Sequence, residues 1–191
     1  MQKTLATEEA TFLLADYLVL SDNQYILKLS KKEALDLGIS SESYDKALDD
    51  IYLVNEEIQK RIADGEENFV LTDPTKVERK KRRDYYVPVR TKSSEELGGT
   101  ITTSGQEVGY DGGWAPIGPS KVTFNCISFG AILPLYNVTT KTLGATQTGG
   151  GVGVIGSNTI FDVGIYATNT SLTVSFRTSD SNGGRCVWVL N

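Results

Sequence analysis

Charge nearly vanishes from this chain after residue 99, and that break constrains the fold more than any motif. Residues 1–99 hold 20 acidic and 15 basic side chains; residues 100–191 hold four of each, Glu107, Asp111, Asp162 and Asp180 against Lys121, Lys141, Arg177 and Arg185. Glycine runs the other way, with 15 of the 19 after residue 99, alongside both cysteines and both tryptophans. A charged polymer that suits amphipathic helices is joined to a neutral one that suits short strands and turns. The expected fold class is α+β: a helical anchor over 1–72, a basic connector over 73–99 and an antiparallel all-β domain, sandwich- or jelly-roll-like, over 100–191.

Within the first part, Tyr17 to Leu20 and Gln24 to Leu29 are β-prone runs around Ser21-Asp22-Asn23, which reads as a hairpin; Glu8 to Leu18 reads equally well as a helix. Ser30-Lys31-Lys32-Glu33 is a capping box and Gly38 a left-handed stop, so a short helix lies between them. A second helix starts after Ser40 or Ser41 and runs to about Gly65. Its apolar stripe is Tyr44, Ala47, Leu48, Ile51, Val54, Ile58 and Ile62, with charged residues covering the rest.

From Asp73 to Gly99 two prolines, the run Arg79-Lys80-Lys81-Arg82-Arg83 and the polar stretch 91–96 read as a connector. Tyr85, Tyr86, Val87 and Val89 would suit a strand against a partner. Beyond it, Phe161 to Ala167, Ser171 to Thr178 and Arg185 to Leu190 alternate as strands and suggest a C-terminal antiparallel meander, with Val122 to Ile132 as a further strand.

The net charge of -5 comes wholly from the first part, so no global basic field draws the chain to nucleic acid or to an anionic membrane. Thr11 to Leu20 follows Glu8 and Glu9 and contains Asp16, unlike a secretory signal, and no window reaches the length of a membrane span. A soluble chain without a signal peptide is the expectation. The sequons at Asn137 and Asn169 carry no weight in that setting. Cys126 and Cys186 share strand alternation with core-type residues; two buried thiols, or a bridge closing a loop of about 60 residues, both fit.

The chain has no histidine, which removes Ser-His-Asp and Cys-His mechanisms and the usual zinc ligand. Glu107 and Asp111, beside Tyr110 and Trp114 in EVGYDGGW, are the remaining carboxylate pair that a glycosidase would need. A turn whose aromatics cover a core edge is the plainer reading of YDGGW. A noncatalytic sugar platform on Tyr110, Asp111 and Trp114, with Asn125 nearby, lies between the two. Gly151 to Gly156 matches GxGxxG, but Thr159 to Ala167 after it reads as a strand, so a loop or a close backbone approach is expected instead of a dinucleotide site. Arg79, Lys80, Lys81, Arg82 and Arg83 read most plainly as a solvated stretch balancing its acidic neighbours; as the candidate docking cluster they would face an acidic protein surface more readily than nucleic acid. No cofactor and no metal is implied.

The pattern LSKKEALDLGISSESYDKALDDIYLVNEEIQK at 29–60, ahead of a basic connector and a neutral Gly/Thr-rich β tip, resembles the anchor helices of small virion proteins, of head-fibre or decoration type, in tailed phages infecting Bacteroidetes. The resemblance implies a homo-oligomer, a trimer by expectation, made in the host cytoplasm and built into the virion. Its N-terminal part would grip a capsid or collar protein, and its β domain would project outward, free to meet surface glycans. Residues 66–99 show neither heptads nor β-repeats, which fits a short knob better than a long fibre.

Overall fold

The computed structural model describes residues 3–66, 69–79, 97–103, 108–114, 120–128, 132–142, 145–164, 170–177 and 184–190, and, of the residues from 97 onward, side chains at 132–137 and 149–157. The N-terminal part uses both readings of its first stretch in succession. Helix α1 (Thr7–Leu14) carries Glu8 and Glu9 in its first turn, where carboxylates complement the unsatisfied N–H groups, and runs into a single 3-10 turn at Ala15–Tyr17. Strands β1 (Leu18–Ser21) and β2 (Gln24–Leu27) then pair antiparallel from Leu18↔Leu27 to Ser21↔Gln24. Asp22 and Asn23 both take positive φ, 52° and 60°. That is the two-residue hairpin geometry that short Asx side chains tolerate best.

Helix α2 (Lys31–Asp36) starts at the capping box: Ser30 Oγ accepts from Glu33 N and the Glu33 carboxylate accepts from Ser30 N at 2.8 Å. Gly38, at φ +86°, ends the turn, and a side chain there would also meet the Lys3 carbonyl oxygen. Helix α3 (Ser41–Ala63) begins at the Ser40 cap and buries Ser43, Tyr44, Ala47, Asp50, Ile51, Val54 and Ile58. Two members of the expected stripe are outside it, Leu48 at 40 % and Ile62 at 47 % exposure. Leu48 is rotated about 100° from Ala47 and so past the edge of the buried arc; Ile62 stands in the last turn, beyond Ile58, the last buried residue.

The described elements after α3 are strands: β3 (Phe69–Leu71), β4 (Leu97–Thr103), β5 (Val108–Trp114), β6 (Ser120–Ser128), β7 (Leu135–Thr142), β8 (Ala145–Val152), β9 (Asn158–Gly164), β10 (Thr170–Arg177) and β11 (Gly184–Leu190). They form two sheets, in the orders β3-β8-β7-β10-β5 and β4-β11-β6-β9. Every pairing is antiparallel except β3 with β8, which is parallel. Three pairings nest around the β7–β8 hairpin, β6 with β9, β5 with β10 and β4 with β11 lying successively further out; β7–β10 and β6–β11 join them sideways.

This topology corrects three expectations. The C-terminal strands are not a meander: β9 and β11 sit in one sheet and β10 in the other. Alternation identifies a half-buried strand but not its partner, so consecutive strands are free to take different sheets. EVGYDGGW is not a turn but, from Val108 on, strand β5. The expected helical anchor over 1–72 ends in a strand, since β3 lies along β8 with Phe69↔Gly150 and Leu71↔Val152 in register. The strand expected around Tyr85 to Val89 falls outside the described residues.

The compositional break is not a packing break. Ala10, Leu14, Leu18, Tyr25, Ile39, Ile51, Val54 and Ile58 from the charged part share one core cluster with Ile132, Leu133, Leu135, Val152, Val154 and Ile155 from the neutral part. Segment 132–155 of the neutral part thus packs directly on the helices.

Candidate functional site

The seam between the charged and neutral parts carries the most specific side-chain geometry. Asp50 is only 3 % exposed on the inner face of α3, and its Oδ2 accepts from the Ile132 backbone N–H at 3.0 Å. A buried N–H needs a partner, and a carboxylate supplies a charge-assisted one. Arg61, on the last turn of α3, donates to Glu57 at 3.0 Å, Glu66 at 3.2 Å and the Asn137 side-chain oxygen on β7 at 2.7 Å, with Phe69 of β3 under its guanidinium at 4.8 Å. The planar fork of arginine is what lets one side chain span these acceptors.

Arg79 makes the second such clasp. It lies over the Phe12 ring at 4.5 Å, donates to the Phe12 carbonyl at 2.9 Å and to the Ile155 carbonyl, and pairs with Asp16. Its side chain is 8 % exposed. The first member of the candidate basic docking cluster is thus turned inward, tying α1 to the 153–157 turn; Lys80, Lys81, Arg82 and Arg83 lie outside the described residues.

Around these clasps the backbone of the β1–β2 hairpin is held to α3. Asn55 accepts from Tyr25 N at 2.8 Å and donates to Tyr25 O at 3.0 Å, while Tyr25 Oη donates to the Thr72 carbonyl at 2.7 Å. Burial, followed by the negative charge of Asp73, drives the Tyr25 phenol well above its ordinary pKa, so it remains a neutral donor. Tyr44 Oη donates in the same way to Leu29 O at 2.7 Å.

The opposite side of α3 has another character. Leu48, Tyr52 and Leu53 stand 40 %, 64 % and 51 % exposed, interleaved with exposed Glu42, Asp45, Asp49 and Glu56. Residues three, four and seven apart share a face, which brings Asp45, Asp49, Tyr52 and Glu56 together. The Tyr52 phenol is raised in pKa, first by its hydrogen bond with Glu56 and then by that carboxylate's charge. Lys31 reaches this face from α2 to pair with Asp45 at 3.0 Å. The sequence reading treated this side as a solvated charged surface and passed over Tyr52 and Leu53, although their helical phase, opposite the core stripe, was the available signal.

On the β side, Tyr110, Asp111 and Trp114 occupy β5, opposite Val174, Thr173 and Thr170 of β10. Among the described strands β5 is an edge of its sheet. Asn125 lies in the other sheet, on β6. Glu107, the other half of the candidate carboxylate pair, falls outside the described residues. The GxGxxG stretch runs from the end of β8 into the 153–157 turn, which leads to β9. A strand after the glycines places no helix N-terminus where a pyrophosphate would need one. The glycine demanded by contact is the preceding one: a Cβ at Gly150 would collide with the Tyr136 carbonyl oxygen.

Among the described residues no cluster of three or more metal-ligating side chains occurs, and no helix is long and apolar enough to cross a membrane. The chain matches no protein-family model, no curated protein and no solved structure.

Proposed function

We propose that this chain is a noncatalytic virion structural or attachment protein, of head-fibre or decoration type, whose N-terminal part docks on a capsid or collar protein and whose β domain forms an oligomeric projecting head. The observation that carries the reading is the nesting of strand pairs. Counting β4 to β11 as first to eighth, first pairs with eighth, second with seventh, third with sixth and fourth with fifth. Such a nested hairpin, rolled so that third meets eighth and fourth meets seventh, supports a jelly-roll reading, an architecture that recurs in viral capsid and lectin domains. The step from fold to role is one of analogy, and the outer face of α3 supports it independently.

That face is the docking surface, and its occupant is a cationic patch on a neighbouring virion protein. Exposed Leu48, Tyr52 and Leu53 supply apolar and aromatic contact, and Glu42, Asp49 and Glu56 surround them with negative charge, Asp45 being paired with Lys31. An aromatic anchor in a charged rim favours a complementary partner and steers its approach. The inward-turned Arg79 moves the docking function away from the start of the basic run.

Light scattering of the purified chain tests the oligomeric head: a trimer or larger is the expected mass, and a monodisperse monomer would sink it. Binding to purified virion shells tests the docking face. It should weaken with salt and be lost in Tyr52→Ala with Leu53→Ser, and undiminished binding of that variant excludes the face.

A second reading, a sugar-binding module, is favoured by the place of Tyr110, Asp111 and Trp114 on an edge strand of a lectin-like strand order. Glycan binding abolished by Trp114→Ala would promote it; indifference to that change would dismiss it.

A further inference from the structure

The two cysteines of the chain lie 60 positions apart in sequence, yet the register of the four-stranded sheet places Cys126 of β6 directly opposite Cys186 of β11. From this juxtaposition we infer that Cys126 and Cys186 form an oxidisable cross-strand dithiol, whose disulfide clamps β6 to β11. The inference is independent of the docking and sugar-binding readings.

Antiparallel neighbours lie about 4.5 Å apart between Cα atoms at non-hydrogen-bonded positions and about 5.5 Å at hydrogen-bonded ones. Both spacings fall inside the roughly 4.4 to 6.8 Å that a disulfide spans, so the backbone need not move for the bridge to close. The register also shifts between Arg185 and Cys186, because Arg185 faces Ser128 while Cys186 faces Cys126, leaving Ile127 as the extra residue on β6. A bulge of this kind specifies pairing locally and holds two facing residues against slippage.

The location gives the bridge its mechanical meaning. The β6–β11 pairing is one of the two that join the nested hairpins sideways. A covalent link there ties β11 to the third strand of the β half and encloses β7, β8, β9 and β10 within the loop.

The chemistry is exchange with a low-molecular-weight disulfide. One cysteine thiolate attacks a sulfur of that oxidant and releases one small thiol, leaving a mixed disulfide. The second thiolate attacks the protein sulfur of the mixed disulfide and releases the other small thiol. Two cysteine thiols are oxidised, one small disulfide is reduced to two thiols, and the two protons pass to the departing thiolates. The reduced form belongs to a thiol-rich cytoplasm and the bridged form to an oxidising exterior.

The full chain, refolded in a glutathione redox buffer, then denatured and exposed to a maleimide, should take up no label and have an intact mass lower by two hydrogens. The chain kept in reductant should take two labels. Oxidation should raise the thermal unfolding midpoint by on the order of 10 °C, and the rise should vanish in Cys186→Ser. Two labels on the redox-refolded wild type, a disulfide-linked dimer on a non-reducing gel, or a bridged chain with an unchanged midpoint would each overturn the clamp. Comparing reduced with oxidised wild type keeps the test decisive should the variant fold poorly.

Discussion

The two faces of helix α3 are built from the same kinds of residue and put to opposite uses. On the inner face charge is consumed: Asp50 is committed to the Ile132 N–H, and Arg61, at the flank, is divided among Glu57, Glu66 and Asn137. On the outer face Glu42, Asp49 and Glu56 remain in solvent beside exposed Leu48, Tyr52 and Leu53. What separates a structural charge from a recognition charge is therefore the backbone that tertiary packing brings near it. A carboxylate on the inner arc meets an N–H that would otherwise be unpaired, whereas the outer arc meets water and leaves its contacts to a partner.

Substitutions break or sharpen this contrast. The largest effect should come from Ile58→Ala, since Ile58 is fully buried in the shared core; chemical denaturation should show a loss of about 2–5 kcal/mol. Next, Asp50→Ala strips the Ile132 N–H of its carboxylate and should cost about 1–3 kcal/mol. Amide exchange at Ile132 should accelerate in step, and an unaltered rate there would separate Asp50 from the seam.

Ser40→Ala should cost about 1 kcal/mol, because the serine hydroxyl accepts from Ser43 N at 3.0 Å and caps α3. A smaller, pH-dependent effect belongs to the α2 capping box. Glu33 accepts from the Ser30 backbone and hydroxyl, which lowers its pKa from the ordinary glutamate value. A depressed folded pKa means that the stabilisation is present above the unfolded pKa and is lost as pH falls through the folded one. Acid titration of the unfolding midpoint should show this loss in wild type and a flatter profile in Glu33→Gln. Smallest of all, Tyr52→Ala and Leu53→Ser should change stability by no more than about 0.5 kcal/mol, although both abolish docking in the proposed function. A large stability loss at either position would make the outer face part of the fold.

Much of the N-terminal part was legible because its signals are local. The Ser30–Glu33 box, Gly38 and the Ser40 cap act within one turn of chain, and the structure places helix ends at each. Phase alone also located most of the buried arc of α3. It did not reveal Asp50, because a buried carboxylate is indistinguishable in sequence from a solvated one until the N–H of Ile132, 82 positions away, is set beside it. Arg79 was misassigned for the same reason: in sequence it begins a basic run, and only the approach of Phe12, Asp16 and Ile155 shows that it faces inward. The glycine-rich segment YDGGW reads as a turn in sequence because its strand propensity is weak, and pairing of β5 with β10 overrides it.

By itself, then, the sequence determined the charge break, the α+β class, the helix boundaries around Ser30, Gly38 and Ser40, and the alternation of several C-terminal strands. All of these depend on hydrogen bonds and side-chain phase within a few residues. Only the tertiary structure decided that both parts share one core, that strand pairs nest around β7–β8, that Arg79 is a clasp, and that Cys126 faces Cys186. Partner choice is set by burial and by satisfying backbone groups far apart in the chain, and no local pattern encodes which distant N–H or strand will be there.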